Sequence, residues 1–352
     1  MKPSRHGADR LIALAALSAC GLLPAHAQSQ VQLYGTVDLA VGQIETQPPG
    51  APNAAIVTIK GVHSGGMQTS YWGIRGSEDL GGGLRARFQL ESFMRVDIGA
   101  TGRFDASPAS GADFFWSREA FVALGGGFGE LRLGTNGTPA WVAMIQSSAL
   151  GANSVFSPGF RQMFNGGTRG RSEVDTAMVN SVKYQSPVLG GVAGSIVVQA
   201  REGSGTGSNY GANIGYRGGP VFVTAAMSQI RHAALPNLAA VRDQDLVLVG
   251  ASYDFGVVKL FGQYTTIDND RLASKDKVTH VGLTVPLGLG TLQAAHSADK
   301  NSTATSSFTR KTSTLGYVYA LSKRTELYSF LMQDKVSSGT AESYVAGIRH
   351  QF

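Results

Sequence analysis

The chain has 352 residues, 46 of them glycine, with a formal charge of +6 and a single cysteine. That mild charge comes without a Lys/Arg run of the nucleic-acid-binding kind, and one cysteine cannot build a disulfide or thiolate metal framework. No apolar run of about 18 residues follows residue 27, so no membrane-crossing helix is available.

Lys2, Arg5 and Arg10 precede a short apolar stretch from Leu11 to Leu23, and Ala25-His26-Ala27 then offers a small-x-small cleavage site. This pattern is that of a secretory signal peptide over residues 1–27, leaving 28–352 as the mature chain. Leu17-Ser18-Ala19-Cys20 is a competing lipoprotein-type site, but a strand begins almost directly after Ala27. Cleavage after Ala27 removes the cysteine, three bases and Asp9, so the mature charge is +4.

Beyond that point apolar and polar residues alternate in short runs separated by glycine-rich turns. Residues 30–45 place Val31, Leu33, Val37, Leu39 and Val41 on one face and Gln32, Tyr34, Thr36 and Asp38 on the other, the period of two expected of a strand. Residues 69–78 follow, then 84–96, where Arg85, Arg87, Gln89 and Glu91 oppose Leu84, Ala86, Phe88 and Leu90. Further strands are predicted at 114–124, 130–134, 180–185, 192–201, 210–217, 221–230 and 245–253. The series continues through 257–267, 277–285, 291–299, 310–321, 324–335 and 342–352.

Sixteen strands of about ten residues, joined by seven short turns and eight longer connections, are what an up-and-down barrel crossing a bilayer at a tilt requires. A soluble sandwich would instead pack apolar inner faces together. The fold class read from the pattern is therefore all-β, a 16-stranded antiparallel transmembrane β-barrel. Tyr184, Tyr216, Tyr253, Tyr319, Tyr328 and Phe352 lie near strand ends and are assigned to the outer face as interfacial aromatics. In the last strand Tyr344, Ala346, Ile348, His350 and Phe352 share one face.

The longest connection, about 135–179, exceeds the 12–15 residues usual for a structureless loop. It carries Trp141, Met144, Ile145, Phe156, Phe160, Met163 and Phe164, which an extracellular flap would not need. Tucked inside the barrel they would be buried and the loop would narrow the lumen. Strand parity sends Arg75, Arg85, Arg87, Arg118, Arg132 and Lys183 to the inner wall. The loop itself supplies Glu173 and Asp175, with Arg161, Arg169 and Arg171 nearby. Opposed loop acids and wall bases would create a transverse field favouring polar solutes.

Val31-Gln32-Leu33-Tyr34-Gly35-Thr36-Val37-Asp38 resembles the opening strand of the general-diffusion porins of Gram-negative bacteria. Gly73-Ile74-Arg75-Gly76-Ser77-Glu78-Asp79-Leu80-Gly81-Gly82-Gly83-Leu84 is similar to their first periplasmic hairpin. Arg118-Glu119-Ala120-Phe121-Val122-Ala123-Leu124 and Asn180-Ser181-Val182-Lys183-Tyr184 resemble later strands, especially of the β-proteobacterial branch. The resemblance implies a homotrimer in the outer membrane whose third loop folds into the pore. Its implied partners are outer-membrane lipid and lipopolysaccharide, small hydrophilic solutes and ions, and the barrel-assembly machinery, which would read Tyr344, Ile348 and Phe352. The acidic Pro-Glu-Phe tip that some members carry in the third loop is absent, so their constriction chemistry does not transfer.

The scattered histidines form no zinc spacing, and Gly125-Gly126-Gly127-Phe128-Gly129 lacks a dinucleotide fingerprint. The expectation is a passive, cofactor-free channel with no metal, no nucleic-acid partner and no catalysis, weakly anion-selective. A solute-specific channel and a plugged adhesive or structural barrel are the alternatives.

Overall fold

The computed structural model describes residues 30–46, 55–103, 114–164, 177–200, 208–231, 243–270 and 273–352. The N-terminal half contributes β1 (Gln30–Thr46), β2 (Val57–Ser64), β3 (Tyr71–Gly81), β4 (Leu84–Arg95), the two-residue β5 (Ala100–Thr101), β6 (Ala120–Gly126), β7 (Gly129–Gly137) and β8 (Ala177–Gln185). The middle contributes β9 (Val192–Gln199), β10 (Asn209–Gly218), β11 (Val221–Ile230), β12 (Gln244–Asp254) and β13 (Lys259–Asn269). The series ends with β14 (Ser274–Leu287), β15 (Gly290–Thr303), β16 (Ser307–Ala320), β17 (Thr325–Val336) and β18 (Gly339–Gln351). Two short helices, α1 (Pro139–Gln146) and α2 (Pro158–Met163), lie between β7 and β8.

Every pairing is antiparallel, and β1 closes the sheet on β18 from Thr36↔Gln351 to Gln43↔Tyr344. The lower half of β1 pairs with β3 and its upper half with β2, so β2 and β3 are two parts of one crossing. With β5 a small hairpin against the end of β4, sixteen crossings make the closed all-β barrel. Closure is completed at the chain end, where Gly35 and Phe352 exchange backbone hydrogen bonds of 3.2 and 3.1 Å. A Cβ at position 35 would lie 2.7 Å from the Phe352 ring, so glycine there lets the terminal aromatic lie flat on the first strand.

Along each strand the two faces differ as a barrel in lipid demands. Val122, Leu124, Val247, Val249, Leu315 and Leu331 point outward and are exposed on the bare chain. Inward positions carry Ser, Thr, Asn and charged side chains, most of them buried. Among the described residues no helix is long and apolar enough to cross a membrane, so the strands provide the crossings.

Four sequence expectations change. The strand expected at 114–124 is regular only from Ala120, and the long connection is trimmed to 138–176 because β7 and β8 extend towards each other. The crossing expected at 69–78 extends back to Val57 but is broken at 65–70. There the Asp38 carboxylate accepts the backbone N–H groups of Met67 (3.1 Å) and Gln68 (2.7 Å), and Ser70 Oγ donates to Asp38 O at 3.1 Å. The bend turns into the lumen. A Cβ at Gly66 would meet Ala40 Cβ at 2.7 Å and the Tyr328 hydroxyl at 2.5 Å, which a larger residue could not tolerate.

Tyr328 is the fourth change. It points inward, is buried, and donates its hydroxyl to Asp38 Oδ1 rather than facing lipid. Around it Leu327 and Leu331 face outward while Tyr328, Phe330 and Met332 face inward, so both faces of β17 are apolar and alternation alone does not orient the strand.

Candidate pore constriction

The strands β3, β4, β6, β7 and β8, together with the approach to β6, build one wall of the lumen, and all six predicted basic residues face inward on it. In register, Arg87 lies opposite Ala123, Ala123 opposite Arg132, and Arg132 opposite Lys183. Two carboxylates organise this row. Glu130 accepts from Arg87 Nη1 at 2.6 Å and from Arg132 Nε at 2.7 Å. Glu91 pairs with Arg118 and also accepts the Tyr34 hydroxyl at 2.5 Å.

Aromatic faces fix the guanidiniums further. Arg75 stacks 4.3 Å over Tyr34, Arg118 4.1 Å over Tyr71, and Arg132 4.4 Å over Phe121. Such contacts attract the cation through the ring quadrupole while leaving its edge free to hydrogen-bond. Arg75 also donates to Gln32 Oε1 at 3.1 and 2.8 Å. Lys183 is buried at the root of the long connection, donating to Gly137 O at 2.8 Å. Arg85 is exposed and has no hydrogen bond or ion pair among the described residues.

Four carboxylates therefore share this wall: Glu91, Glu119, Glu130 and, at the short-turn end, Asp79 directly opposite Arg85. Glu119 accepts from Gln89 Nε2 (2.8 Å) and from the Gly137 N–H (3.1 Å), tying the loop root to the wall. The signal for Glu119 and Glu130 was available: each sits two residues from an inward residue, Phe121 and Arg132 respectively.

The connection from 138 begins with Thr138, whose Oγ1 accepts from Trp141 N (3.3 Å) and caps α1, with Pro139 in the first turn. Ser157 and Pro158 start α2 in the same way. Helix α1 lies against β10–β12 and α2 against β14–β16, both on inward-facing side chains. Met144, Phe160, Met163 and Phe164 bury against Leu246, Leu248, Ile267 and Val278, and Phe156 stacks on Phe330 at 5.5 Å. Trp141 and Ile145 pack at the edge of the first cluster.

Wall side chains also take up the turn carbonyls: Gln263 donates to Met144 O (2.9 Å) and Thr314 to Phe156 O (2.7 Å). Thr69 of the inward bend meets Ser154 at 3.0 Å. Arg161 reaches across to Asp334 of β17 at 3.3 Å. Asp334 is further held by Arg310 Nε at 2.9 Å and Thr312 Oγ1 at 2.9 Å. Glu173, Asp175, Arg169 and Arg171 lie outside the described residues. Tyr344, Ile348 and Phe352 are on the outer face at the barrel seam.

A closed barrel with an apolar outside, a polar inner wall and helices packed within it is a membrane channel of the outer-membrane type. Residues 12–339 match the Gram-negative porin family. The chain is 32% identical to outer membrane porin protein 32 of Delftia acidovorans over 97% of its own length and 99% of the relative's. It is 29% identical to an outer membrane porin protein of Bordetella pertussis over 93% of this chain and 96% of that one. Among solved structures, the anion-selective porin from Comamonas acidovorans superimposes with a TM-score of 0.73 at 28% identity, covering 92% of this chain and all of that one. The chain belongs to the Gram-negative porin family. It is an outer-membrane channel for passive diffusion.

Proposed function

We propose that the channel is narrowest between the basic wall and the connection 138–176, and that it passes small hydrophilic solutes with a weak preference for anions. The observation that carries this reading is an imbalance of charge. Six basic side chains share the wall with four carboxylates, and residues 138–164, packed on the facing strands, contain no Asp or Glu. Their single cation, Arg161, is engaged with Asp334. The anion-selective porin among the similar structures supports the same sign. In this reading Glu173, Asp175, Arg169 and Arg171 add a local field, and mobile ions screen the wall charges over about 8–10 Å at physiological salt.

Under a KCl gradient across a planar bilayer the reversal potential reports chloride preference, which fades as salt rises. Replacing Arg87 and Arg118 with Gln reduces it. A channel that strongly prefers potassium overturns the assignment.

Residues 1–27 are read as the signal peptide, the mature unit as a homotrimer, and Tyr344, Ile348 and Phe352 as the signal for barrel assembly. Deleting Phe352 is expected to lower the yield of heat-modifiable oligomer in outer membranes. An unchanged yield removes that role.

A further inference from the structure

The long connection meets the rest of the inner wall at two joints. At its root the Gly137 N–H donates to Glu119 at 3.1 Å, and Lys183 donates to Gly137 O at 2.8 Å. At its far turn, residues 148–157, the partner is the inward bend 65–70. Thr69 Oγ1 meets Ser154 Oγ at 3.0 Å, and Met67 packs into the cluster that holds Ala149, Leu150, Val155 and Phe156. The covered arc of the lumen therefore runs from root to bend, and the basic wall is the arc left bare.

By leaving the ladder between β2 and β3, residues 65–70 give up sheet hydrogen bonds that a strand crossing lipid needs. One residue of β1 replaces them. The Asp38 carboxylate accepts the N–H groups of Met67 and Gln68 and also the Tyr328 hydroxyl. Its main chain joins in: Gly65 N–H donates to Asp38 O at 2.8 Å, and Asp38 N–H donates to Ser70 Oγ at 2.9 Å. Gln68 Oε1 accepts from Arg349 Nη1 at 2.9 Å, and Arg349 is itself paired with Glu326. Barrel closure does not need this excursion, because β1 pairs with β18 in an unbroken register. What the excursion reaches is the far turn of the connection.

We propose that the bend 65–70 is a clasp on that turn, that it fixes the aperture of the channel, and that Asp38 is the positioning residue holding it shut. This role rests on the reading of the connection as the constriction. With the clasp open, residues 148–155 keep their anchor at Phe156 but lose their hold beside β1, and the turn is free to swing towards the basic wall. Asn at position 38 offers one accepting oxygen where the carboxylate offers two, and aims an amide N–H at the bend's own donors. D38N therefore opens the clasp with little change of shape.

The test is single-channel recording of the purified channel in planar bilayers. Wild type should show one quiet open level. D38N should show repeated sub-conductance steps and a several-fold rise in open-channel noise. Y328F, which removes one donor and leaves the carboxylate on the backbone, should show the same steps less often, and it serves if D38N fails to assemble. The Thr69 and Ser154 oxygens are close enough for cysteines there to form a disulfide. In D38N/T69C/S154C, oxidation should restore the quiet level and reductant added to the chamber should bring the noise back. A general loss of fold is not reversed by one cross-link made and broken in place.

A152C treated with a bulky thiol reagent separates the clasp from the reading beneath it, since Ala152 is partly exposed on the same turn. A drop in its conductance supports the connection as the constriction. Given that drop, quiet records from both D38N and Y328F overturn the clasp alone. Noise that persists once the disulfide has formed overturns it too. An unchanged conductance of labelled A152C overturns the constriction reading, and the clasp's role with it.

Discussion

The two halves of the barrel interior obey the same alternation and end as different materials. Along β3–β8 the inner face is charged and wet, with Arg75, Arg87 and Arg132 held by carboxylates and aromatic faces. Along β11–β17 it includes Leu246, Leu248, Ile267, Val278 and Phe330, sealed by Met144, Phe156 and Met163. One half is channel wall and the other is a protein core turned inward. Inward therefore does not mean solvated. What covers a face decides which residues it can carry, because an apolar lumen surface is stable only where another segment removes it from water.

If that division holds, substitutions in the covered half should act on stability and those on the bare wall should act on ions. The largest effect is expected from D334A, which leaves Arg161 and Arg310 buried without their shared carboxylate. Removing one partner of a buried ion pair costs about 3–5 kcal/mol. Heat-modifiability should fall to lower temperature, and single-channel records should become noisy as the loop is released. Quiet records with an unchanged midpoint would mean that this half is not a core.

Phe156→Ala follows, since truncating a fully buried Phe typically costs about 3–5 kcal/mol. Here the loop retains its other anchors, so the thermal midpoint should fall with little change in ion preference. On the opposite wall E130Q keeps the side chain's shape and one accepting oxygen for the guanidiniums, and should lower stability less than D334A does. It removes the acid that Arg87 and Arg132 share and should strengthen chloride preference in reversal-potential measurements. R85Q should be the smallest and of opposite sign, weakening chloride preference with the midpoint unchanged. If E130Q and R85Q move the reversal potential in the same direction, net wall charge does not control selectivity.

Much of the barrel is written locally. A period of two, glycine at tight turns and Ser/Thr-Pro helix starts act within a few residues, so strand number, the inward residues Arg75, Arg85, Arg87, Arg132 and Lys183 and the caps at Thr138 and Ser157 are accessible without a structure. Arg118 shares the parity of the outward Val122 and Leu124 and reaches Glu91 only because it precedes the regular part of β6. Tyr328 shows where local reading ends. In the run from Leu327 to Met332 hydrophobicity does not alternate, and the strand is oriented by Phe156 and Asp38, far away in sequence. The break at 65–70 is of the same kind: Gly65-Gly66 permits a bend, but its direction comes from the Asp38 carboxylate of the neighbouring β1.

The sequence by itself determined the barrel, its sixteen crossings and the sign of the wall, because alternation in lipid and water is a property of each strand. Tertiary structure decided which inward residues meet water and which meet the folded-in helices. It also decided which carboxylates moderate the arginines. Those outcomes depend on register and loop packing, contacts that exist only once distant segments are brought together.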